Sequence, residues 1–98
     1  MLPAMVIGLL MLELHFPGAR SLKDKRQALR SLETRVRNRF NVSLAEVEHQ
    51  DLWQRAGLGV VTIAGSQALA GRELQGVLDE IDRVEPGLVS RSEVEFLT

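Results

Sequence analysis

Eight basic residues, Arg20, Lys23, Lys25, Arg26, Arg30, Arg35, Arg37 and Arg39, fall within twenty positions whose only acids are Asp24 and Glu33. At 3.6 residues per helical turn, Lys23, Arg26, Arg30 and Arg37 form a row on one flank of a helix. Arg35 and Arg39 fall on the other flank, and Lys25 lies on that side within the apolar arc itself, so it must carry its ammonium to the helix end or sit over a cleft. A row of four cations can follow a phosphate backbone, and four neutralised phosphates on a single strand give a log-log salt slope of about −3. The competing reading is a solvated face with some carboxylate pairing, for which Glu33 is the acid best placed within the helix. The formal net charge of −1 conceals this segregation, because the segment carries +6 and the remainder −7. Such asymmetry is an argument about association rather than fold.

A second group surrounds the only tryptophan. In the polar turn 50–55, Trp53 could stack a base while Arg55 adds charge. A lone tryptophan more often packs, so the first expectation is that Trp53 seals the end of the core. His15 and His49 should sit on strands separated by a third, about 10 Å apart, too far to share a metal without another group between them. No nucleophile stands beside them, and Ser21 reads as a helix cap. The chain has no cysteine, which excludes disulfides and thiolate chemistry. These residues predict no catalytic site, metal or cofactor.

The elements that must position these groups follow from periodicity. Residues 5–16 read as a strand with Leu10, Leu12, Leu14 and Phe16 on one face and Glu13 and His15 on the other. The run is too short to span a bilayer and has no basic leader, so a cytoplasmic chain without a membrane segment is expected. Pro17 and Gly18 end the strand, and Ser21 caps a helix with Asp24 three residues on. Leu22, Leu29, Leu32, Val36 and Phe40 make its apolar stripe, and Asn41 stops it. Strands are predicted over 42–49 and 57–64. A second helix opens at Gly65 and Ser66, carries Ala70, Leu74, Val77, Leu78, Ile81 and Val84 inward, and stops at Pro86 and Gly87. A strand over 88–97 closes the chain, with Arg91, Glu93 and Glu95 on one face.

The order β-α-β-β-α-β is the ferredoxin-like signature, an α+β fold with two helices on one face of a four-stranded antiparallel sheet. Right-handed crossovers require strand order 4-1-3-2. At 98 residues one domain spanning 1–98 is expected. This topology brings the first helix's amino end to the turn between the second and third strands, so Arg20, Lys23 and Arg26 should share a rim with Trp53 and Arg55.

The segment SLKDKRQALRSLETRVRNRFNVSLAEVEHQDLWQR carries a family resemblance. Ser21, Leu22, Lys23, Lys25 and Arg26, then Arg39, Phe40, Asn41, Ser43, Ala45 and Glu46, then residues 50–54, match the motifs of the YlxP-like bacterial proteins, a family of unknown function. The resemblance implies a ferredoxin-like domain. Because such proteins are often encoded near translation and ribosome-maturation genes, it also implies an RNA or ribosome setting. It supplies no catalytic residues.

The face marked by Glu13 and His15 remains apolar at Met5, Ile7, Leu9 and Met11, which predicts a homodimer formed through the sheet. The sequence therefore predicts a non-catalytic RNA- or ribosome-associated binding protein whose contacts are Arg20, Lys23, Arg26, Arg30, Arg37, Trp53 and Arg55. The alternative is an anion- or small-molecule-binding or regulatory dimerisation module, using the first helix's amino end with Arg20 and Lys23. An acylphosphatase-like enzyme is disfavoured because no Gly-rich phosphate loop follows the first strand.

Overall fold

Six elements follow one another in the computed structural model, which describes residues 1–98. They are β1 (Val6–His15), α1 (Leu22–Arg39), β2 (Ser43–Glu48), β3 (Arg55–Ala64), α2 (Gln67–Val84) and β4 (Val89–Leu97). The sheet runs β2-β3-β1-β4, the expected order seen from its other edge, and every adjoining pair is antiparallel. The fold is thus the expected ferredoxin-like one, because alternation in β1 and the two helical stripes allow one core between the helices and the sheet.

β1 shows why. Leu10, Leu12 and Leu14 are buried beneath the helices, while Ile7, Leu9, Met11 and Glu13 between them are only half-buried on the open face. The buried leucines meet Leu29, Leu32 and Val36 of α1 and Leu74, Val77 and Ile81 of α2 in one cluster. Burying each such side chain contributes roughly 1.5–3 kcal/mol. Gly76 has a specific place in this packing, since a Cβ there would lie 2.8 Å from Phe40 Cε1. Its absence admits the ring that closes the end of α1.

Each helix begins on a serine. Ser21 Oγ accepts from the Asp24 N–H at 3.0 Å and Ser66 Oγ from the Leu69 N–H at 3.2 Å, each cap being worth about 1 kcal/mol. Strand boundaries differ from expectation by one or two residues, and two of the differences have a visible cause. β3 begins at Arg55 because Arg55 and Ala56 still pair with His15 and Leu14. β2 ends at Glu48 because its register slips after Glu46 and His49 turns the chain with φ 61°.

Candidate nucleic-acid interface

The cations of α1 divide by what they touch. Lys25 is fully buried. Its Nζ donates to the carbonyl oxygens of His49 at 2.8 Å, Arg55 at 3.1 Å and Gln50 at 3.4 Å. An ammonium has three N–H donors, so these carbonyls occupy them. Glu46 Oε2 also lies 2.8 Å from Nζ, but out of line for a hydrogen bond, so the contact is an ion pair and this buried oxygen keeps no hydrogen-bond partner. Lys25 thus carries its ammonium to the turn at the amino end of α1 rather than over an empty cleft. It clamps turn 49–55 to α1. The left-handed backbone of His49, which costs a non-glycine residue about 1–3 kcal/mol, is held by this clamp.

On the flank facing α2, Arg35 and Arg39 each approach Glu80 Oε2 at 3.3 Å, and Arg83 closes on the same carboxylate at 2.9 Å. Glu80 is only 8 % exposed, and three guanidinium groups pair with its carboxylate. Hydrogen bonds from Arg83, then from Arg35, and the charge of Arg39 hold its carboxyl below the usual range, against the opposing effect of burial. The sequence reading missed Glu80. Its signal was the one that marked Lys25, a charged residue at the margin of an apolar stripe, here beside Val77 and Val84.

The opposite flank is different. Arg20, Lys23, Arg26 and Arg30 are exposed and none forms an ion pair. Arg37 is exposed as well, but its Nη2 donates to the Leu44 carbonyl of β2 at 3.1 Å. Glu33 closes no ion pair with the row. Partial burial pushes its carboxyl up, and Glu46 adds to this, while Arg37 and Arg30 oppose it.

Turn 50–55 meets the segment that leads into α1. Gln54 Nε2 donates to the Pro17 and Ala19 carbonyls, both at 3.2 Å, and the Phe16 N–H donates to the Gln54 carbonyl at 2.8 Å. Trp53, next to this staple, is 53 % exposed, which overturns the expectation that it seals the core. The core end is closed instead by Phe16, Ala19 and Leu88. Arg55 is turned to the open face, where Nε donates to Glu13 Oε1 at 3.0 Å and Nη2 closes on the same oxygen. Bonding to Arg55 is the main cause that keeps Glu13's carboxyl low. Arg55 is therefore paired, unlike the free row.

Two other groupings bear on chemistry. His49 Nε2 lies 3.1 Å from Glu13 Oε1 and 3.7 Å from Glu48 Oε2, so three potential ligand atoms fall within 4.8 Å of one another. Arg55 already occupies Glu13, so these side chains are engaged with one another and with Arg55. Gly57 lets this group form, because a Cβ there would lie 2.7 Å from Glu48 Cβ. A cleft of about 710 Å³ lies between α1 and the α2–β4 turn. Asp24 in its wall is engaged by the Arg20 N–H at 3.0 Å and Arg35 by Glu80, while His15 and Glu85, also in the wall, form no ion pair.

Topology and site together define a small ferredoxin-like domain whose first helix carries one neutralised and one free cationic flank. The chain belongs to the family described as "Protein of unknown function (DUF503)", whose sequence pattern it matches over residues 7–94. It is 43 % identical over 77 residues to the uncharacterized protein YlxP of Bacillus subtilis (strain 168), covering 79 % of this chain and 84 % of that one. Among solved structures it is similar to a dimeric ferredoxin-like protein of unknown function from Thermobifida fusca YX, with TM-score 0.57, 9 % identity and coverage of 97 % and 92 %. It is also similar to the de novo designed protein Foldit4, with TM-score 0.55, 12 % identity and coverage of 96 % and 97 %. These two likenesses concern the fold alone. No helix of the chain is long and apolar enough to cross a membrane.

Proposed function

We propose that this protein is a non-catalytic, cytoplasmic RNA-binding module of the translation apparatus. In this reading Arg20, Lys23, Arg26 and Arg30 meet successive phosphates, Arg37, tied to the Leu44 carbonyl, borders the row without a phosphate of its own, and Trp53 offers a stacking surface at its start. One observation carries the reading: the structure neutralises the cations of α1 on the α2 side and leaves those of the other flank unpaired. A merely solvated helix has no need of that division. Four phosphate contacts give a salt slope of about −3 on single-stranded RNA. Fluorescence anisotropy with a labelled oligoribonucleotide from low to moderate salt is expected to show that slope. Binding that is absent at low salt, or indifferent to salt, contradicts it. Recovery of ribosomal subunits in a crosslinked pull-down is the corresponding test in cells.

The anion-binding alternative has less support. Ser21 Oγ and the Asp24 carboxylate already occupy the amino end of α1, and a second anion there would meet Asp24. Self-association through the sheet is a second reading, favoured by exposed apolar groups on the open face. Ile63, Val47 and Leu97 are each about half exposed. Met5, Ile7, Leu9 and Met11, expected to carry that contact, lie at intermediate burial along the middle of the face.

A further inference from the structure

We propose that two copies of this chain join along β4, antiparallel, so that each four-stranded sheet continues into the other. The proposal rests on the self-association reading and names the strand through which it occurs.

The two edges of the sheet are built differently. β2 is short, its register breaks after Glu46, and Arg37 caps the Leu44 carbonyl. These are devices by which sheet edges are protected from pairing. β4 has nine residues and pairs regularly with β1 from Leu97 to Arg91, with its only register shift at the far end. Its outer side has no partner strand. Every residue from Ser90 to Glu95 is exposed, on both faces, because the helix-side position is left bare: Val94 is 49 % exposed. No side chain of the fold caps this edge as Arg37 caps the other.

The charges on β4 choose the occupant. Arg91, Glu93 and Glu95 all lie on the open face, opposite Glu13, Met11 and Leu9 of β1. If both helix layers stay on the same side, odd-numbered residues of one β4 face odd-numbered residues of the other. A two-fold axis at Ser92 then sets Arg91 opposite Glu93 of the second copy and Glu93 opposite its Arg91. The same favourable pair forms twice, as an isologous contact requires. An axis at Glu93 would set Arg91 opposite Glu95 twice but would also oppose Glu93 to itself, so charge favours the register centred on Ser92, which has two such pairs without the repulsion. Within one copy Arg91 and Glu93 pair along the strand, and dimerisation redirects each to a partner directly across.

Sedimentation equilibrium of the full chain, with circular dichroism to confirm folding, tests this. The wild type is expected to dimerise. Arg91→Glu and Glu93→Arg should each raise the dimer dissociation constant at least tenfold, and the double exchange should restore it. A dimer that resists both single changes but is lost in Leu9→Glu overturns the β4 contact and leaves association through the open face standing. Failure of the double exchange to rescue also overturns the proposed register. A concentration-independent wild-type monomer overturns the self-association reading and this proposal together.

Discussion

The two flanks of α1 carry the same kind of residue and treat it in opposite ways. Toward α2, Arg35 and Arg39 converge on Glu80, while beneath the helix Lys25 is enclosed by Glu46 and three carbonyls. On the far side Arg20, Lys23, Arg26 and Arg30 close no ion pair, although Arg30 lies near enough to Glu33 to be felt by its carboxyl. A count of cations treats both flanks alike, yet one set stabilises the fold and the other is free to contact something else. The family motif divides similarly: Ser21, Lys25, Glu46 and Gln54 hold the rim together, whereas Lys23, Arg26 and Trp53 project from it.

The largest effect expected from disturbing this contrast is at Lys25. Lys25→Met leaves Glu46 and the carbonyls of the turn unpaired in the interior, and breaking a buried pair costs about 3–5 kcal/mol. Urea unfolding should register a loss of that order; a loss below about 1 kcal/mol would mean that the ammonium is not the clamp described.

Glu80 and Glu13 should appear in the pH dependence. Both carboxyls are held low in the fold, so their contributions to stability are present above the ordinary carboxylate range and disappear as pH falls through the folded-state values. Glu33 acts with the opposite sign: its raised value makes its ionised form a cost, relieved as pH falls. Glu80→Gln is expected to lower the urea midpoint at neutral pH and to flatten the acid limb. An unchanged acid limb would show that the three arginines do not stabilise that charge.

On the free flank, Arg26→Gln with Arg30→Gln should alter stability by no more than about 0.5 kcal/mol, as for surface changes in general. Trp53→Ala belongs with these, since its ring is half exposed. If it stacks on RNA, its removal costs about 1–3 kcal/mol of binding while leaving the urea midpoint nearly in place. A large loss of stability instead would show that the ring is structural.

Much of this was legible beforehand. Period-two alternation in β1 and the two apolar stripes were enough for element order and sheet topology, since connection rules leave few arrangements. That turn 50–55 would meet the amino end of α1 followed from that topology, and the Ser21 cap with Asp24 could be read directly. Trp53 could not, because whether a turn side chain folds in or out depends on neighbouring atoms. Here Gln54 takes the inward position through its bonds to Pro17 and Ala19. The pairing of Arg35 and Arg39 was equally hidden, because Glu80 lies on another helix and only the packing of α1 beside α2 brings them together. Lys25 stood out as a misplaced charge, but its partners come from a turn whose path depends on the left-handed His49.

The free flank is tested most directly by salt titrations of RNA binding with matched charge removals on the two sides of α1. Arg26→Gln with Arg30→Gln should reduce the log-log slope from about −3 to about −1.4, whereas Arg35→Gln with Arg39→Gln should leave it unchanged. Equal reductions from both pairs, or none from the first, would contradict the division of α1 into a structural and a binding flank.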